Sequence, residues 1–73
     1  MNQGQEKFLS FIMQNVEEKN QYKAKELLNE SFAKQDNGTF NAEYMAEFIT
    51  RMLELIKPES VEQVKNIMMN HKA

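Results

Sequence analysis

Apolar residues recur at helical spacing in four stretches of this chain, and polar segments separate them. The clearest stretch is residues 40–56, FNAEYMAEFITRMLELI. Wound at about 100° per residue, it puts Tyr44, Met45, Phe48, Ile49, Met52, Leu53, Leu55 and Ile56 on one half of a helix and Glu43, Glu47, Thr50, Arg51 and Glu54 on the other. Its ends are marked too. Asn41 is a good N-cap, Phe40 and Met45 can form a hydrophobic staple across it, and Lys57-Pro58 stops the run. A third helix over about 42–57 is therefore expected at the centre of the fold.

The other three stretches look like packing for that face. Residues 5–19 place Phe8, Leu9, Ile12 and Val16 on one stripe, with Phe11 and Met13 on its flanks. The apolar phase does not carry past Glu17, so a break is expected near Asn20. A second helix over 21–34 would bury Ala24, Leu27, Leu28 and Phe32, with Ser31 at the stripe's edge and Tyr22 off it, its ring over the helix junction. Residues 35–39, QDNGT, are turn chemistry, and Gly38 is the natural place for a positive φ. The fourth helix begins either with Pro58 at its first position or with Ser60 as N-cap and Gln63 closing a capping box. Its stripe is Val61, Val64, Ile67 and Met68, and Met69 points elsewhere.

These elements predict an all-α fold: one domain over 1–73, a compact bundle or array of four short helices, with residues 1–4 flexible and 71–73 frayed. No internal repeat or low-complexity tract stands out. The length allows a single small core, and with no cysteine there are no disulfides to brace it. Six methionines supply pliable filling for that core.

Charge narrows the function classes. A formal net charge of −2 and a pI near 5.3 give no basic footprint for nucleic acid or anionic lipid. Read as a recognition helix, the third helix would present Glu43, Glu47 and Glu54 to phosphate, with Arg51 alone in favour. Lys19, Lys23 and Lys25 are interleaved with Glu17, Glu18 and Glu26, which reads as a solvated surface. No run is long enough to span a membrane and the N-terminus lacks a signal-peptide core, so a cytoplasmic protein is expected.

Catalytic chemistry is poorly provided for. His71 is the only histidine, and Ser10, Ser31 and Ser60 show no base in a plausible setting. Neither an enzyme nor a cofactor is expected. Around Gly38 the sequence resembles a degenerate EF-hand loop over about a dozen residues. Its ligand places would fall on Ala33, Gln35, Asn37, Thr39, Asn41 and Tyr44. Ala33 has no ligating side chain and Tyr44 stands where a bidentate glutamate is needed, so no metal site is expected.

What remains is a non-enzymatic interaction or regulatory module acting through protein contacts. The alternative is a small nucleic-acid-associated regulator that does not read with its third helix. The partner surface suggested by the pattern is Phe11 and Met13 on the first helix, joined by Met69, through which a homodimer is expected in preference to a monomer. The competing arrangement has the second and fourth helices together covering both flanks of the first inside a single chain.

Overall fold

A computed structural model describes residues 2–70. Four α-helices follow in order: α1 (Gln3–Gln14), α2 (Gln21–Asp36), α3 (Ala42–Leu53) and α4 (Val61–Asn70). Short 3₁₀ turns, Glu18–Asn20 and Pro58–Ser60, lead into α2 and α4. The radius of gyration is 11.3 Å, close to the roughly 11 Å expected of a compact chain this long. The all-α, four-helix reading is what the structure shows. The fraying expected at 71–73 lies outside the described residues.

Helix α1 begins earlier than the pattern indicated. Asn2 caps it: its side-chain oxygen accepts the Gln5 N–H at 2.8 Å, while the Gln5 side chain accepts the Asn2 N–H at 3.1 Å. This capping box puts Gln3 and Gly4 in the first turn, where a flexible start was expected. The predicted cap of α3 is present, with Asn41 Oδ1 accepting the Tyr44 N–H at 2.8 Å. No hydrogen bond closes a capping box between Ser60 and Gln63. Pro58 opens the turn before α4 instead, and the Ser60 N–H donates to Lys57 O at 2.8 Å.

The larger correction concerns where α1 and α3 end. Both were expected to run about four residues further, through Val16 and Ile56. In the fold these two residues lie in loops and pair with each other in an isolated antiparallel bridge. The Glu17 N–H donates to Leu55 O at 3.1 Å and the Lys57 N–H to Asn15 O at 2.9 Å. Val16 and Ile56 are both buried. Each lies four positions past the last buried residue of its helix, Ile12 or Met52, and so falls in phase with the stripe, which periodicity alone could not separate from a continued helix.

That bridge lies on an approximate two-fold relation that the sequence conceals. The elements of the α1–α2 half recur in the same order in the α3–α4 half, about forty positions later, and the two bridge residues are forty apart. The two bridge bonds exchange under this relation, and so do others. Asn15 N to Ile12 O repeats as Leu55 N to Met52 O, both at 2.9 Å, and Asn20 N to Glu17 O repeats as Ser60 N to Lys57 O, both at 2.8 Å. Buried positions match likewise: Phe8 with Phe48, Ile12 with Met52, Val16 with Ile56, Ala24 with Val64, Leu28 with Met68. Most of these pairs keep the apolar class and change the residue, so the repeat did not show as identity.

Centrality is accordingly shared. Helix α2 packs on both α1 and α3, and α3 on both α2 and α4. Leu28 of α2 and Met52 of α3 are both fully enclosed, whereas Ile49 and Leu53 are only half-buried against the core.

Candidate functional site

The two halves are not equivalent at the ends of their helices, and a groove opens where they differ. Helix α2 packs on α3, but among the described residues its counterpart contact, α4 on α1, is slighter. The sequence explains the difference. Tyr44 stands in the first turn of α3 and packs edge-on to Phe40, with ring centroids 5.3 Å apart, and alongside Phe48 at 6.4 Å. The equivalent place in α1 is Gly4, which has no side chain to fill it. Leu27 of α2 is only 4% exposed, while its counterpart Ile67 in α4 is 44% exposed and the neighbouring Met69 is 59% exposed. Ile67 thus departs from the expectation of a core position.

The groove has a volume of about 380 Å³, in the range of binding sites that take several apolar groups. Phe8 of α1 lines one side, Met68 and Met69 of α4 another. Helix α3 contributes Ala42, Met45, Phe48 and Ile49, and Phe40 and Asn41 precede it. Ser31 and Gln35 of α2 complete the wall. None of these side chains is charged. The Ser31 hydroxyl is buried and donates to Leu28 O at 2.8 Å within its own helix, which leaves it unprepared for nucleophilic work.

Beside the groove, α1 is pinned to the end of α2 by a polar contact. The Gln5 side-chain amide is buried and donates to Gln35 Oε1 at 3.1 Å and to Asp36 Oδ1 at 3.4 Å. Its counterpart in the repeat is Met45, which lines the groove. On the far side of Tyr44, Lys34 Nζ lies 4.9 Å from the ring centroid, and Arg51 reaches Glu30 at 3.6 Å and Glu47 at 3.9 Å. These ion pairs are half exposed and contribute little. They do occupy Arg51, the lone cation of the outward face of α3.

Tyr44 carries the strongest perturbation. Its pKa is raised from the ordinary 10.0 to about 12, first by burial and then by the Glu30 carboxylate. The hydroxyl is buried and meets no partner at hydrogen-bond geometry, so Glu30 acts on it chiefly through charge. Tyr22, by contrast, is 76% exposed rather than lying over the helix junction. Glu26 raises its pKa.

The three residues first indicated as a partner surface fall in different places. Met69 is on the groove wall. Phe11 and Met13 are half-buried and pack against the core, and neither lines the groove. Of the residues that do line it, Phe8, Phe48 and Met68 are buried in the core as the sequence indicated, while Phe40 and Met45 are half-buried. Comparing the two halves would have exposed the difference, since Gly4 stands where Tyr44 does.

The segment resembling an EF-hand loop is built otherwise. Ala33, Gln35 and Asp36 belong to α2, and the connection to α3 spans only Asn37 to Asn41. Gly38 has the expected positive φ, 78°. Among the described residues no three His, Cys, Asp or Glu side chains stand close enough to hold a metal, and no helix is long and apolar enough to cross a membrane. The chain matches no family model, no curated protein and no solved structure.

Proposed function

We propose that the protein is a non-enzymatic interaction module whose groove holds the apolar face of a helical segment from a partner protein. One observation carries this reading: a domain with only a small core keeps an uncharged apolar groove of about 380 Å³ open at its surface. Closing the groove would add burial that a chain of this size needs, so its persistence calls for an occupant.

The chemistry of the wall suits a helix face. Met45, Met68 and Met69 are unbranched and polarizable, and such side chains re-form around the shape of what they bind. The wall's few polar groups, Gln35, Asn41 and Ser31, are neutral, so they present no charge that a partner's apolar residues would leave unpaired. Among the described residues of the wall, an anionic ligand or nucleic-acid backbone would find no cation. Insertion of apolar side chains at i, i+3 or i+4, and i+7 is the recognition mode this fits.

Selection from a random peptide library displayed on phage tests the proposal. Peptides enriched on the wild-type protein should carry apolar residues at helical spacing and should be lost on Met45→Glu, provided circular dichroism shows the variant folded. Enrichment of nothing, or of peptides indifferent to Met45→Glu and to Met69→Glu, would overturn it.

A further inference from the structure

The turn between α2 and α3 carries chemistry that the groove does not use. Asn37 is the chain's one asparagine followed by glycine, and both residues are exposed. The Asn37 side-chain oxygen accepts two hydrogen bonds from Thr39, from the backbone N–H at 3.1 Å and from the hydroxyl at 2.5 Å. Two donors on one amide oxygen draw electron density from Cγ and are placed to stabilise negative charge developing on that oxygen.

The nucleophile is the backbone nitrogen of Gly38. Asn37 has ψ of 6°, which turns this nitrogen away from Cγ, so the Asn37–Gly38 peptide plane must rotate before they meet. Little opposes the rotation. The Gly38 N–H donates one long hydrogen bond, 3.3 Å to Gln35 O, and a Cβ built at Gly38 would meet nothing within 4 Å beyond its chain neighbours. Glycine's lack of a Cβ permits the new backbone angles.

We propose that Asn37 is a site of self-modification, converting in the folded protein to aspartate and isoaspartate. The Gly38 nitrogen gives its proton to water or hydroxide and bonds to Cγ of Asn37. The tetrahedral intermediate then breaks the Cγ–Nδ2 bond, and Nδ2 takes a proton from solvent and leaves as ammonia. The five-membered succinimide that remains is opened by water at either carbonyl, giving the aspartyl or the isoaspartyl linkage. No redox change occurs, and water is the only co-reactant.

The product bears on the groove. Aspartate at 37 adds a negative charge beside Asp36 at the C-terminal end of α2, the end at which the helix dipole disfavours anions. The isoaspartyl form lengthens the main chain before Thr39 and Phe40, whose N–H groups both donate to Lys34 O, at 2.8 and 3.2 Å. Phe40 is part of the groove wall. The conversion therefore loosens the end of α2 and shifts one side of the groove.

Incubating the intact protein in mildly alkaline buffer, with peptide mapping by mass spectrometry and isoaspartate detection by enzymatic methylation, tests this. Asn37 should convert ahead of every other asparagine, and Gly38→Ala should slow it several-fold. Thr39→Val, which keeps the backbone donor and removes the hydroxyl, should slow it too, with circular dichroism confirming that the variant is folded. Conversion at Asn37 no faster than elsewhere would overturn the assignment. An unchanged or faster rate in folded Thr39→Val would overturn the activation by Thr39.

Discussion

Enclosure separates residues that look alike in the sequence. Met52 and Leu28 are fully buried, while Ile49 and Leu53, on the same apolar half of α3 as Met52, are half-buried. Met52→Ala and Leu28→Ala should each cost about 2–5 kcal/mol, and Ile49→Ala and Leu53→Ala clearly less. Urea melts measure the difference, and equal losses at all four positions would contradict the burial pattern. Tyr44 supplies a pH test. Its folded pKa lies above the ordinary value, so the folded state holds the phenolic proton more tightly than the unfolded chain. Its contribution is whole below pH 10 and is lost as the pH rises toward about 12. Wild type should therefore lose stability over that window more steeply than Tyr44→Phe, which removes the titrating hydroxyl. Parallel pH profiles for the two proteins would contradict this.

The elements show what periodicity does and does not carry. Stripes over residues 8–12, 24–32, 44–52 and 61–68 gave the number and type of helices, because burying one helix face imposes that spacing. Ends were less legible. Val16 and Ile56 keep helical phase although they sit in loops, and nothing local distinguishes a bridge residue from the next residue of a stripe. The bridge makes its own prediction. The amides of Glu17 and Lys57 lie outside every helix, yet each donates across the two-fold to a carbonyl of the other half, Leu55 O and Asn15 O. Hydrogen exchange at both should be as slow as in the middle of α2, and should quicken at both together in Ile56→Ala. Fast exchange at either amide in the wild type would show that the two halves are not joined there.

At the scale of the whole molecule, the two-fold relation explains both the core and the departure from it. Matched pairs such as Ile12 with Met52 build a shared centre, and where Gly4 stands opposite Tyr44 in the repeat the described residues of α1 and α4 meet less than those of α2 and α3. The groove was illegible in the sequence for that reason. Its walls are apolar residues in proper helical phase, and helical phase alone does not separate buried walls such as Phe48 and Met68 from half-buried Met45 or exposed Met69. Methionine methyl groups report on this region directly, because Met45, Met68 and Met69 line the groove while Met52 is enclosed and Met13 lies elsewhere. The most direct measurement is a carbon–proton methyl spectrum of the methionine-labelled protein titrated with an uncharged amphipathic helical peptide of leucine, alanine and glutamine. Binding through the groove predicts saturable shifts at Met45, Met68 and Met69 with Met13 and Met52 unmoved. Shifts absent at millimolar peptide, or spread equally over these three, Met13 and Met52, would contradict it.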